Sequence, residues 1–514
     1  MSNKNKIQKC LNIGLDLHQS GNLAAAEKEY KEILKLNDNH SDALNLLGVI
    51  SLQTGNSTAA ISLIERAVLN DPNNSGYLNN LGQALHTVEN YERATLTYQR
   101  ALKLEPNNPD ILNNLGISLT SLQKFDSAFS YYKKALKLNN ENPNIFHNFG
   151  IALQESGRLS NAIQNYRLAL SIDPNRPTTY ASLASALEEN EDQDGAIENY
   201  HLALKLDPLY LDAHAALKKL RWASKDKKHL HDSYYYACKI LPNSAQAYCN
   251  LSNSLLESNE LNLALSFVNK AIGVCPNHSL AHHIKAKILH SRGKYDQSII
   301  AHKKAIAIDG KNSLYRESFG HTLSKSGFFK EAIIELDYAH KINPRRSGII
   351  GALTIAMNEM DDPRATYFLN YQKHIHSKII GVPDGFNNLW NFNEALHKEI
   401  EAQHNNRPPP FDQTMRGGTQ IPNHLFKGAS GLVRLLKDQL TNELLKYIDG
   451  LKDDLTHPFL RYKNKNFQYT GAWSTIIFSS GYDMSHIHNE GWVSGVYYIK
   501  VPELADEFWE KGEG

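Results

Sequence analysis

One period constrains this chain more than any other feature. A small residue at Gly14 returns every 34 residues, or a multiple of 34, at Gly48, Gly82, Gly116, Gly150, Ala184, Ser252, Ala286 and Gly320; Lys218 stands at the one place skipped. Twelve residues after each comes a second small residue: Ala26, Ala60, Ala94, Ala128, Ala162, Ala196, Ala264, Ser298 and Ala332. A third, alanine column runs from Ala67 to Ala339, and prolines close most units, among them Pro72, Pro106, Pro174, Pro208, Pro242, Pro276 and Pro344. Between the columns apolar residues fall at helical spacing, as in AAISLIERAVLNDP and NAIQNYRLALSIDP. Each unit is thus expected to be a pair of helices. The first two small columns let the paired axes approach, and the third lies where the second helix meets the next unit. Proline lacks an amide donor and disfavours helical geometry in the residue before it, so it ends the second helix. The Asn and Asp beside it can cap the helix that follows.

Period and columns together resemble the tetratricopeptide repeat. The resemblance spans about ten units, residues 7–346, within a repeat region of 1–346. It implies a right-handed α-solenoid with a concave groove that binds extended peptides, stabilised unit by unit through neighbouring interfaces. The seventh unit departs from the pattern, with Lys218 in place of the small residue and Leu230 in place of the alanine. Local loosening is expected there, a hinge being the other reading. Asn80, Asn114, Asn148 and Asn250 each precede the first small column by two residues. They share one helical face, and a side-chain amide both donates and accepts. A row of them is therefore expected to hold a peptide backbone without reading its sequence.

Composition narrows the partners. With Lys+Arg 55 against Asp+Glu 54, the chain has no net field to draw nucleic acid or an acidic membrane surface. No run reaches the roughly 18 apolar residues of a membrane span, and the first residues carry no apolar leader. Cys10, Cys238, Cys249 and Cys275 form no Cys-x-x-Cys pair, which fits reduced thiols in a cytoplasmic protein. The expected partner is a protein or peptide in the groove, with no nucleic acid and no membrane.

After Pro344 the 34-residue register is expected to be lost. Residues 347–404 read as a helical connector and 405–514 as a separate domain. RPPPFDQ favours an extended path, and GLVRLLKDQLTNELLKYIDGL, with Leu432, Leu435, Leu436 and Leu440 on one side, reads as an amphipathic helix. From Phe467 the pattern changes to β-branched and aromatic runs broken by Gly, Asn and Asp, namely AWSTIIFSS, MSHIH and WVSGVYYIKV. On a strand, His486 and His488 point the same way, so two imidazoles can bind one transition metal.

RGGTQIPNHLF, AWSTII and HIHNEGWVSGVYYIKVP resemble a bacterial subfamily of the 2-oxoglutarate- and iron(II)-dependent oxygenases. The resemblance implies a double-stranded β-helix (jelly-roll) holding Fe(II) through His486 and His488, with 2-oxoglutarate on the metal and a C–H bond of a protein or peptide hydroxylated. It also implies a distal histidine and a basic anchor on a late strand. The 26 residues after His488 (514 − 488) contain no histidine or arginine. The expectation is therefore a mostly α chain: a solenoid followed by the first part of the β-helix, with the third ligand beyond Gly514 and no turnover by this length alone. The alternative is a scaffold of repeats without chemistry. A glycosyltransferase is disfavoured, because no Gly-rich phosphate loop follows the repeats.

Overall fold

The computed structural model describes residues 3–224, 226–404, 415–421, 425–426, 429, 431–483 and 492–500. It falls into two units, Met1–Ala213 and His214–Gly514. The first holds six helix pairs, from Asn3–Gln19 with Leu23–Leu36 to Pro177–Glu189 with Gln193–Leu206. Their register is that of the sequence columns. A Cβ on Gly48 would lie 2.4 Å from Ile64 Cγ1, one on Gly82 2.4 Å from Tyr98 Cε1 and one on Gly150 2.6 Å from Tyr166 Cε1. The glycine thus makes room for the large residue sixteen places on, which the second helix drives into the first. Ala26, Ala60, Ala94, Ala128, Ala162 and Ala196 are all fully buried.

Local chemistry sets the helix ends. Asn56 and Asn90 cap second helices, accepting from the amides of Ala59 and Arg93, while Asn74, Asn108 and Asn142 cap first helices. Asp71 and Glu105, each before a proline, take non-helical backbone and end the second helices. Between the two helices of each unit, the chain turns through a left-handed residue. Gly21, Gly55 and Gly157 fill this place with φ of 79°, 81° and 79°, but Glu89, Gln123 and Glu191 take it too, at 62°, 57° and 64°. The side-chain-bearing residues accept a conformation that only glycine adopts freely.

In the second unit the pairs Ala245–Glu257 with Leu261–Val274, Ser279–Ser291 with Tyr295–Ile308 and Ser313–Lys325 with Phe329–Ile342 repeat this design. Where serine replaces a small-column residue, its hydroxyl spans the narrow gap: Ser252 Oγ donates to Ala264 O and Ser298 Oγ to Ala286 O, both at 2.7 Å. The seventh repeat differs. Its second helix is cut to Asp232–Ile240. Yet Lys218 is only 3% exposed, and its Nζ donates to Ser254 O at 2.9 Å and Glu257 Oε2 at 3.0 Å. The unit is short, but the residue that breaks the pattern is tied to the next repeat. The 34-residue register also runs on past 346: Ser347–Asn358 packs Ile349, Leu353 and Met357 against Leu336 and Ala339, and Asp361 takes the left-handed turn position with φ 52°. The second helix of that half-repeat stops after five residues, Arg364–Phe368.

The C-terminal part is a small helix-and-sheet body. Helices Leu389–His404 and Gly431–Gly450 enclose a core of Phe392, Leu396, Ile400, Val433 and Leu436, which Ile421 joins from a strand. That strand, β1 (Met415–Ile421), pairs antiparallel with β2 (Ser474–Asp483). The pairing jumps from Arg416↔Tyr482 to Gly418↔Ile477, leaving extra residues on β2 as a bulge. Two strands form the whole sheet among the described residues, so a closed β-helix is not seen. Described residues 492–500, expected as a strand, form none. They are held by side chains instead: Trp492 Nε1 donates to Phe459 O at 2.9 Å, and Tyr497 OH to Asn393 Oδ1 at 2.7 Å. Tyr497 faces in and Tyr498 is 68% exposed, which keeps the alternation without the ladder.

Candidate functional site: an amide-lined face and a strand pair

First helices of successive repeats approach one another more closely than second helices do. Within each unit the face they form is thus the inner one. In the first unit Asn80, Asn114 and Asn148 all sit on it, half-buried. Each makes the same bond: Asn80 Nδ2 donates to Asn45 Oδ1, Asn114 to Asn79 and Asn148 to Asn113, all at 3.0 Å. The partner lies one place earlier in the preceding repeat, 35 residues back. A second row joins His86 Nε2 to Ser121 Oγ at 3.2 Å and Gln154 Nε2 to Glu189 Oε1 at 2.6 Å, also 35 apart. A third joins Tyr77 OH to Asp42. The amides therefore brace the stack first. One N–H of each Asn is spent between repeats, while a second N–H and carbonyl capacity remain for a ligand. Asn45, Asn79 and Asn113 were legible as neighbours of the row only by a spacing of 35 rather than 34.

Asn250, in the second unit, is set differently. It is 7% exposed, its Oδ1 accepts from Gln246 Nε2 at 2.7 Å, and its Nδ2 is buried with no hydrogen-bond partner among the described residues. The four asparagines do not form one uniform row.

His486 and His488 lie outside the described residues. What is described is the strand pair leading to them. His404, at the end of Leu389–His404 and 5% exposed, bridges the sheet: Nδ1 lies 2.9 Å from Thr419 Oγ1 on β1 and Nε2 3.1 Å from Ser474 Oγ on β2. Beside this body, His374 and His457 stand with ring centroids 5.2 Å apart. His457 Nε2 is 2.8 Å from Tyr367 O, and its Nδ1 accepts from the amides of Phe459 and Leu460. That ring is thereby committed to structure. Burial, then the neighbouring His457, lowers the His374 pKa. Among the described residues no group of three His, Cys, Asp or Glu is placed to hold a metal ion.

Comparison with known proteins places these parts. Tetratricopeptide repeat models match residues 11–75, 89–122, 109–142, 143–176 and 245–278. A model of the 2OG-Fe(II) oxygenase family matches residues 471–512. No curated protein matches the chain. Among solved structures, yeast Tom70 is similar at 13% identity over 71% of this chain and 97% of that one, with a TM-score of 0.39. Pseudomonas aeruginosa pilF is similar at 22% identity over 42% of this chain and 98% of that one, TM-score 0.37. YrrB, described as a TPR protein with an unusual peptide-binding site, follows at 19%, 36% and 96%, TM-score 0.29. The chain carries tetratricopeptide repeats joined to a C-terminal 2OG-Fe(II) oxygenase-like domain.

Proposed function

We propose that the repeat face holds a protein or peptide for hydroxylation by an oxygenase that uses Fe(II) and 2-oxoglutarate. The observation that carries this reading is the position of His486 and His488 inside the 471–512 oxygenase match, in a chain whose repeats present an amide-lined face. These two histidines are the residues assigned to iron, on sequence alone. Iron with 2-oxoglutarate would supply the oxidising power. The described residues hold no three-ligand set among themselves.

What the chain's own residues do is clearer. Asn80, Asn114 and Asn148, held at fixed spacing by their inter-repeat bonds, present spare amide groups to an extended backbone. His404 locks β1 to β2, and so fixes the start of the strand that runs toward His486. A cytoplasmic setting suits the cysteines: burial pushes the Cys238 and Cys249 thiols up to about 11 and about 12, so both stay protonated at neutral pH.

Anaerobic Fe(II) titration of the whole chain tests the oxygenase part. Weak binding by the wild type, as two imidazoles without a third ligand give, and its loss in His486→Ala/His488→Ala is the expected result. Equal binding by the two removes the assignment of these histidines and leaves the second reading, a scaffold. The extent of the repeats, ten helix pairs, favours that reading next.

A further inference from the structure

Five successive first helices of the first unit, Ser41–Gln53, Ser75–Thr87, Pro109–Ser121, Pro143–Glu155 and Pro177–Glu189, contain no lysine or arginine. They do contain Asp42, Asp110, Glu155, Glu188 and Glu189. The cations of the same repeats, from Arg66 to Lys205, sit on second helices and loops. All the acids but Glu188 are exposed. Glu189 and Asp42 belong to the second and third inter-repeat rows, which join the same first helices as the asparagine row, so acid and amide share the inner face.

A cavity of 360 Å³ opens where this face meets the turns before two first helices, with Asn74, Asn79, Glu105 and Asp110 in its wall and no cation. Hydrogen bonds from Asn108 and Ser75 hold the Glu105 carboxyl below the usual carboxylate range, so it is charged at neutral pH. The second unit shows no such sorting, since its first helices Ser279–Ser291 and Ser313–Lys325 carry Lys285, Lys287, Arg316 and Lys325.

We infer that the inner face of repeats two to six selects an extended peptide rich in lysine or arginine, the amide row holding its backbone and the carboxylates pairing with its side chains. The inference rests on the peptide-binding part of the proposed function and adds the substrate class. An acidic peptide meets mostly like charge here: the cation at this face, Arg176, caps Pro177–Glu189 and is already engaged by Asn144 Oδ1 and Asp173.

Fluorescence anisotropy on the whole chain tests it with three labelled peptides: alternating lysine and alanine, alternating glutamate and alanine, and an uncharged serine and alanine control. Loss of about three exposed ion pairs corresponds to roughly tenfold in affinity. The lysine peptide should bind at least about tenfold tighter than the glutamate peptide in low salt, and the gap should close in high salt. Asp110→Lys and Glu155→Lys should each weaken the lysine peptide, while Glu198→Lys, on the second helix Gln193–Leu206, should not. Because Glu198→Lys adds the same charge elsewhere, a general effect of net charge is separated from the face itself. If all three peptides bind alike and Asn80→Ala/Asn114→Ala/Asn148→Ala weakens all three, charge selection is wrong and the peptide face stands. If none binds, both fall.

Discussion

Replacing Lys218 with alanine restores the small residue that the other repeats carry at this place. If the small column were all the stack required, Lys218→Ala would be neutral or stabilising. The structure says otherwise. Nζ reaches Ser254 O at 2.9 Å and Glu257 Oε2 at 3.0 Å from a side chain 4% exposed. A hydrogen bond from a charged donor contributes about 1.5–3 kcal/mol. Two facts place the loss toward the low end. Ser254 O keeps its helical bond from Ser258 N at 3.3 Å, and the Glu257 side chain is 50% exposed and regains water. The expected destabilisation is about 2 kcal/mol, or roughly thirtyfold in a local opening equilibrium. Because repeats couple mainly to their neighbours, the effect belongs to Asp232–Ile240 and Ala245–Glu257. Native-state hydrogen exchange on the whole chain should show amides of these two helices exchanging about thirtyfold faster. Lys218→Met, which keeps the stem and loses the ammonium, separates packing from charge. Unchanged or slower exchange in Lys218→Ala would refute the pinning of repeat seven.

Three other outcomes are expected. Burial lowers His283 and His302 to about 3, with Lys287 adding to the effect on His283, and His283, His290 and Lys287 to that on His302. Unfolded histidine titrates near 6.5, so this stability is complete above that pH and drains as pH falls toward 3. Each ring should cost about 2 kcal/mol by pH 5, and His302→Gln should remove about that much of the loss between pH 7 and pH 5 in denaturant unfolding, the other buried histidines, His147 at about 4 among them, supplying the rest. His404→Ala removes the bridge between Thr419 and Ser474 and should loosen the β1–β2 pair by about 2–4 kcal/mol, read as faster exchange at Thr475–Ile477 with the repeats unaffected. Gln123→Gly relieves a left-handed residue at φ 57° and, net of the freedom glycine gains when unfolded, should stabilise by about 0.5–1 kcal/mol in thermal denaturation.

The repeat fold was readable because one period carries several contacts at once. Gly82 requires Tyr98 sixteen places on, and each small column marks a close approach between helices. Contacts off that period were harder to see. Asn45, Asn79 and Asn113 pair at 35, not 34, and the left-handed turn column hides because Glu89, Gln123 and Glu191 fill places where glycine would announce it. Asp361 shows that the register outlasts Pro344, though the small residues and prolines that signalled it are gone. Nothing local marks His404 as a bridge, since its partners lie 15 and 70 residues away without periodicity. WVSGVYYIKV has strand composition, yet a strand needs a neighbour's hydrogen bonds, and none is paired with it among the described residues.

The offset of the asparagine pairs makes the length of the proposed binding surface adjustable. Removing residues 75–108, one whole unit, would bring Asn114 to the place Asn80 now holds, facing Asn45 across a junction of the same chemistry. The Tyr77 contact with Asp42, the Arg93–Glu65 ion pair and the His86–Ser121 contact would go unreplaced, Ile111, Ser127 and Leu52 taking the places of Tyr77, Arg93 and His86. A gene that gains or loses such a unit by unequal recombination would thus change how much of a partner it grips while leaving the asparagine seam intact.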